Sequence, residues 1–384
     1  MIRCSRCIYP NSKPDLFLDA EGVCSACRAF ERRALVDWEA RRLELADLVG
    51  GRHVIVPVSG GKDSTYQVIT LKQLGARVTA VNAATDYLTP IGRRNLDNLK
   101  RLCDLIEWTP NVTVRRKIAR IGLFEVGDMS WGEHCVIWGI PFRAAAARRR
   151  SRGRCRAQPQ NEYGGPVGAD RAQVLDRRWR EEFGGMLGLR PSDLVGRDGL
   201  TAEDLGPYTM PAADAKVRAV WLGHYLPWNG AANAIVAGCY GFESYPFAVE
   251  GSIGNFEDLD NFVTGPRDYL KFVKYAFGRA TDIACNLIRR GWLSRDDALR
   301  IVRMRERFPS TYLGRPLADI LAPFDITVDD FVQVCDHFTN RTLFRARDSG
   351  LAVNAEGLVR PVLRADDELI KDRDGTPILR DEAV

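Results

Sequence analysis

Two Cys-x-x-Cys pairs stand near the amino terminus, Cys4 with Cys7 and Cys24 with Cys27, with sixteen residues between the pairs. Two residues between thiolates let one tight turn aim both sulfurs at a single ion, and two such turns complete the tetrahedral shell that zinc prefers. Asp19-Ala-Glu-Gly22, just ahead of the second pair, has the turn chemistry to bring the two knuckles together. A closed four-thiolate shell leaves no open position, so Zn2+ here would be structural, with an iron–sulfur cluster as the alternative occupant. The other six cysteines, Cys103, Cys135, Cys155, Cys239, Cys285 and Cys335, follow no spacing and read as buried thiols.

A second chemical constellation is Ser59-Gly60-Gly61-Lys62-Asp63-Ser64. The two glycines let the backbone turn sharply and present N–H groups to an anion at a helix amino terminus, where the dipole also favours negative charge. Lys62 adds a point charge. A Walker A loop needs a glycine where this chain has Val56 and a hydroxyl residue where it has Asp63, so the loop is of another kind.

The elements that must position this loop are legible around it. Val54, Ile55, Val56 and Val58 form a continuous apolar run, as in a buried parallel strand. Val68, Leu71 and Leu74 recur at helical spacing, Gly75 supplies a stop, and Arg77 to Val81 reads as the next strand. This is a strand–loop–helix–strand unit of an open α/β sheet, with the loop at the carboxyl edge where such sheets bind ligands.

Composition sets the wider frame. The chain has 384 residues, 55 Lys and Arg against 50 Asp and Glu, and 45% apolar residues, which excludes collagen-like, coiled-coil and disordered classes and suits two or three domains. No run reaches the roughly 18 apolar residues of a membrane span. The opening MIRCSRCIYP has charge and Cys where a signal peptide would be apolar, so a cytoplasmic protein with reduced thiols is expected.

Ser59 to Ser64 resembles the SGGxDS signature of the PP-loop ATPases, which implies that the loop cradles pyrophosphate while AMP passes from ATP to a substrate oxygen. The chain to about residue 345 resembles one branch of them, the N-acetyl sugar amidotransferases of surface-polysaccharide biosynthesis. The resemblance is carried by CSRCIYP…FLDAEGVCSAC, the loop, Asn161-Glu162-Tyr163-Gly164-Gly165, and the stretch from Lys274 through Asp282 to Ala298. It implies an α/β fold with an open parallel sheet of the PP-loop ATPase (adenine nucleotide α-hydrolase-like) type, with an N-terminal four-Cys zinc knuckle and a C-terminal helical region. The expected division is residues 1–48 for the knuckle and linker helix, 49–250 for the PP-loop domain, 251–345 for a helical substrate or partner region and 346–384 for a polar tail. The implied reaction uses ATP with Mg2+. The acetamido oxygen of a nucleotide-linked N-acetyl sugar is adenylated and then replaced by ammonia, as in lipopolysaccharide O-antigen synthesis. Ser59, Gly60, Gly61, Lys62, Asp63 and Ser64 would bind ATP, with Lys62 and Asp63 catalytic; Asn161, Glu162, Tyr163, Arg279 and Asp282 are candidate substrate groups.

Other segments bear on the choice of reading. Trp221 to Trp228 offers flat rings and His224, whose bland reading is a partly buried, satisfied histidine. Pro266 to Arg290 is an amphipathic pattern interrupted at Gly278 and stopped at Gly291, and Ser294-x-x-Asp297 reads as a capping box opening another helix. Arg279 and Asp282, three apart, share a helix face, with a solvated ion pair as the bland alternative. The chain departs from the resemblance at Ala147 to Gln160, where ARRRSRGRCRAQPQ replaces an apolar strand. The seven arginines from Arg143 to Arg156 suit a nucleic-acid patch, but without interleaved aromatics the stretch reads better as a solvated loop, and no nucleic-acid partner is expected. The competing reading is a PP-loop tRNA thiolation enzyme, which would want further paired cysteines near the loop. Cys239 lacks the first glycine of a nucleophile elbow and Cys4 is not placed as an amino-terminal nucleophile, so ammonia should come from a separate glutaminase subunit.

Overall fold

The computed structural model describes residues 2–83, 87–147, 165, 184–210, 217 and 219–345, together with the backbone of residues 153–156 and 362–363. Asn161, Glu162, Tyr163 and most of the polar tail lie outside the described residues.

Among the described residues, five parallel strands form the central sheet: β1 (His53–Pro57), β2 (Arg77–Ala83), β3 (Asp104–Trp108), β4 (Gly153–Arg156) and β5 (Ala219–Trp221), in the spatial order β3-β2-β1-β4-β5. The chain builds outward from β1 through β2 to β3, then crosses back to lay β4 on the other side of β1. Strand order therefore reverses between β1 and β4, and in open α/β sheets the crevice at that reversal is where ligands bind.

Both faces of the sheet are covered, which explains the unbroken apolar run of β1. Val54 and Val56 pack with Val68 and Leu71 of α3 (Lys62–Gln73), Leu96 and Leu99 of α4 (Pro90–Leu99), and Leu45 and Val49 of α2 (Trp38–Val49). Ile55 and Val81 face the other way, onto Val114 and Ile118 of α5 (Val112–Val126) and Trp131 and Val136 of α6 (Trp131–Ala147). Asn111 caps α5 by accepting from the Thr113 and Val114 N–H groups at 2.9 and 3.3 Å.

The Arg-rich segment corrects one expectation. Residues 153–156 are not a solvated loop: they form β4, with Val54 opposite Gly153 and Arg154 opposite Ala219. Backbone N–H and C=O groups make the ladder whatever the side chains, so the ladder holds without the apolar run by which a strand is recognised in sequence.

Beyond the sheet, α7 (Gly230–Cys239) packs on α3, and α8 (Thr264–Tyr275), α9 (Arg279–Arg289), α10 (Arg295–Arg305) and α11 (Val328–Phe338) form the carboxyl-terminal helical region. The break between α8 and α9 falls at Ala276, which is left-handed at φ 58°, and Gly278, which caps α9. Gly291 at φ 70° follows α9, and Ser294 caps α10 by accepting from the Asp297 N–H at 3.1 Å, one half of the expected capping box, while Asp297 Oδ2 accepts from the Ser294 hydroxyl instead of its N–H. The hairpin of β6 (Thr311–Tyr312) and β7 (Arg315–Pro316) precedes α11, and β8 (Phe344–Arg345) pairs with β9 (Val362–Leu363). No helix among the described residues is long and apolar enough to cross a membrane.

Candidate functional site

The loop Ser59–Ser64 leaves the carboxyl end of β1 at the switch point and runs directly into α3, whose N-cap is Gly61. Gly60 adopts φ 90°, and a Cβ there would lie 2.9 Å from the backbone nitrogen of Leu96. Both facts require glycine: the left-handed backbone strains any L side chain, and the approach of α4 leaves no room for one. Ser64 Oγ donates to the Gly61 carbonyl at 2.9 Å, which holds the turn closed and leaves the first N–H groups of α3 at its open end.

Lys62 is 3% exposed. Its Nζ lies 2.8 Å from Asp63 Oδ2 and 2.9 Å from Glu257 Oε1, 5.6 Å from the centre of the Phe256 ring. Burial alone would push the lysine pKa down, but the two carboxylates outweigh it and hold the ammonium well above its usual value. Asp63 Oδ1 accepts from Asn233 Nδ2 of α7 at 2.8 Å, which fixes the carboxylate from the far side. The loop is thus a preorganised cation and carboxylate pair at a helix amino terminus, an arrangement suited to a polyphosphate and its metal ion.

Sequence reasoning missed Glu257 and the segment that carries it. Phe256 to Asp260 is clamped against α4: the Thr89 N–H donates to the Asp260 carbonyl at 3.1 Å, Thr89 Oγ1 donates to the Leu259 carbonyl, and a Cβ on Gly92 would fall 2.6 Å from Asp260 Cα. Its acidic composition, Glu257-Asp258-Leu-Asp260, was the available signal. Burial pushes Glu257 up to about 7, with Lys62 pulling down and Asp63 pushing further up; Asp260 reaches about 7 through burial and the neighbouring Asp258.

This gives a pH prediction with a definite sign. A carboxyl whose folded pKa stands above the unfolded value of about 4.3 stabilises the fold fully below that value, and the stability is lost as pH rises through the folded value. Between about pH 5 and 8 the Tm of the wild type is expected to fall more steeply than that of Glu257→Gln, by the linkage relation. Calorimetric scans with equal slopes for the two proteins would contradict the assignment.

Arg279 and Asp282 are brought into the same region but neither forms a solvated pair with the other. Arg279 binds Asp258 Oδ2 at 2.8 Å and both oxygens of Asp268 at 3.1 Å. Asp282 is 4% exposed, accepts from Tyr9 Oη at 2.8 Å and pairs with Lys271. Burial would raise its carboxyl pKa, but Lys271, Lys13 and Arg279 together hold it below the usual range. Both Asp282 oxygens are thereby occupied by the protein, and its place is a tie between the amino-terminal knuckle and helices α8 and α9.

The four knuckle cysteines converge. Their sulfurs all lie within 4.8 Å of one another and all four residues are buried. Cys7 and Cys24 are 3.6 Å apart and Cys4 and Cys27 3.9 Å, against about 3.8 Å for two sulfurs of a tetrahedral zinc site with bonds of about 2.3 Å. Cys4 Sγ accepts from the N–H groups of Arg6, Cys7 and Cys24 at 3.2–3.5 Å, and Cys24 Sγ caps α1 (Ser25–Arg32) by accepting from the Cys27 N–H. Without an ion the set cannot ionise together: bonds from Cys24, Cys27 and Cys7 hold Cys4 low, while Cys27, Cys4 and Cys7 push Cys24 up. A dication resolves this conflict, and the donor set fits Zn2+. The Asp19 to Gly22 turn forms as expected, with the Gly22 N–H donating to the Asp19 carbonyl at 2.8 Å.

The remaining candidates take bland places. His224 is 4% exposed, with Nδ1 3.3 Å from Arg41; burial and then Arg41 push its pKa down to about 4. The expectation of six buried thiols is corrected at two of them: Cys239 ends α7 exposed and Cys103 is half-buried, whereas Cys135, Cys285 and Cys335 are buried and the side chain of Cys155 lies outside the described residues.

Residues 250–356 match the family model of the LPS biosynthesis protein WbpG-like, C-terminal domain, in keeping with the resemblance seen in sequence. No curated protein matches the chain. Among solved structures the chain is similar to NMN synthetase from Francisella tularensis, at 14% identity over 53% of this chain and 96% of that one, with a TM-score of 0.26. A superposition of that quality assigns nothing, and the fold rests on strand order and register.

Proposed function

We propose that this chain, an α/β unit with an SGGKDS loop joined to a WbpG-like carboxyl-terminal domain, is an ATP-dependent amidotransferase acting on a nucleotide-linked N-acetyl sugar. The observation that carries the reading is the juxtaposition of the two parts: Lys62 of the loop is held by Glu257 of the WbpG-like segment at 2.9 Å, so nucleotide and acceptor would meet at one place.

An amide oxygen is a poor leaving group and must be activated. The acetamido oxygen attacks the α-phosphorus of ATP, the bond to the bridging oxygen breaks, and pyrophosphate leaves. The acetamido nitrogen gives up its proton as the O-adenylyl imidate forms. Ammonia then adds to the imidate carbon, AMP departs with the former amide oxygen, and an amidine remains. In this scheme the N–H groups at the start of α3 and the Lys62 ammonium neutralise the charge that builds on pyrophosphate, the electrostatic role that most often dominates such sites. Asp63 and Glu257 position Lys62 and offer oxygen ligands of the kind Mg2+ prefers. The four-Cys zinc would supply no chemistry beyond fixing the knuckle.

Ammonia is proposed to reach the imidate from a separate glutaminase subunit. Cys239 has no hydrogen bond to a histidine among the described residues, and it stands exposed at a helix end. The isolated chain is therefore expected to form AMP and pyrophosphate from ATP with an acetamido sugar nucleotide and ammonium at alkaline pH, and to be inert with glutamine until the partner is added. Chromatography of the nucleotides checks this. ADP as the main product would remove the PP-loop reading, and glutamine-driven turnover by the pure chain would remove the partner.

A further inference from the structure

A cavity of about 180 Å³ lies between α8, α9 and the segment from Met304 to Tyr312. One water occupies about 30 Å³ in the liquid, so the space is that of a small ring rather than of a solvent molecule. Its walls are of two kinds. Tyr269, Phe308 and Tyr312 bring aromatic rings, with Tyr269 and Phe308 edge to face at 5.2 Å, and Asp268, Arg279 and Glu306 bring charge.

Glu306 is the informative group. It is 8% exposed, and its Oε1 accepts from the N–H groups of Gly278 and Thr281 at 2.8 Å each, capping α9. Its Oε2 is buried with no hydrogen-bond partner among the described residues. A buried carboxylate oxygen without a partner is unfavourable, so it marks a place where a donor belongs. Two glycines shape the room around it. A Cβ on Gly278 would press on Glu306 Oε1 at 3.2 Å, and one on Gly265 would meet the Tyr312 ring at 2.8 Å.

We infer that this cavity receives the sugar ring of the acceptor, with the apolar C–H face of the ring on the aromatic wall and its hydroxyl or amide N–H groups donating to Glu306. The walls set Glu250, Asp268 and Glu306 against Arg279 and Arg305 and so carry little net charge, which suits the neutral sugar end, while the diphosphate stays outside, where Arg307 stands exposed at the rim. The cavity connects to the phosphate loop through two ion pairs. Arg279 in its wall holds Asp258 at 2.8 Å, and the adjacent Glu257 holds Lys62 at 2.9 Å. This assignment rests on the amidotransferase reading and adds the place and the chemistry of acceptor recognition.

The test is a calorimetric titration of the full chain with UDP-N-acetylglucosamine, UDP-N-acetylgalactosamine and their dehydrated and aminated N-acetyl analogues, alongside a titration with a non-hydrolysable ATP analogue. Met304→Trp places a large ring at an exposed mouth position without altering the phosphate loop. Glu306→Gln keeps the oxygen that caps α9 and turns the unpartnered acceptor into a donor. Both variants are expected to bind the ATP analogue as the wild type does and to bind the sugar nucleotide at least tenfold more weakly. If the wild type binds a sugar nucleotide and Met304→Trp, with ATP-analogue binding intact, matches it within twofold, the cavity assignment fails while the amidotransferase reading stands. If the wild type neither binds nor turns over any acetamido sugar nucleotide, the amidotransferase reading itself fails.

Discussion

Lys62→Met is expected to lower AMP release by about 10²–10³-fold, the usual cost of removing one preorganised group that stabilises developing charge. The side chain is buried and its ammonium is held by two carboxylates, so the charge is already aimed and desolvated before substrate arrives. Methionine fills similar space without the charge. The fold should tolerate the change, because Glu257 already stands at about 7 and takes up a proton once the lysine that lowers it is gone. The readout is steady-state AMP formation beside a circular-dichroism melt. A folded variant within threefold of wild-type turnover would exclude Lys62 from catalysis.

The second large effect concerns the metal. The double variant Cys24→Ser, Cys27→Ser is expected to drop from about one zinc per chain to almost none, since two ligands of four are lost. Binding of structural zinc is worth an apparent 10–16 kcal/mol in isolated fingers, against a whole-domain stability of about 5–15 kcal/mol. The knuckle should therefore not stay folded without its ion. Its loss would propagate, because Ile8, Tyr9 and Val23 share a core with Phe277, Ala280 and Ala284 of the α8–α9 region, and Tyr9 holds Asp282 at 2.8 Å. Elemental analysis and a melting curve report on both steps. Undiminished zinc in the variant would sink the four-Cys assignment.

Those two sites were legible in sequence for a shared reason. Each is made by residues close together along the chain, so spacing alone encodes the geometry: two Cys-x-x-Cys turns, and a glycine pair placed directly between an apolar strand and a helix. What escaped was contributed from afar. Glu257 meets Lys62 only because Thr89 and Gly92 of the α4 start clamp the 256–260 segment beside the loop, a contact no local pattern encodes. Arg279 and Asp282 were correctly placed on one helix turn, but their partners, Asp258, Asp268, Lys271 and Tyr9, come from three separate stretches, two of them on α8. Strand β4 was hidden for a different reason. Its backbone is paired on both sides by β1 and β5, so pairing rather than side-chain pattern sets its conformation, and an Arg-rich sequence gives no periodic sign of it.

The central claim is that an acetamido oxygen is replaced by nitrogen at the expense of ATP. The most direct measurement is mass spectrometry of the sugar nucleotide recovered after incubation with ATP, Mg2+ and 15N-ammonium, with AMP counted in the same sample. The account predicts a product in which one oxygen has been exchanged for a labelled NH group, formed in equal amount with AMP and pyrophosphate. A sugar nucleotide of unchanged mass, with AMP formed only when bulk tRNA replaces the sugar nucleotide in a parallel sample, would contradict it.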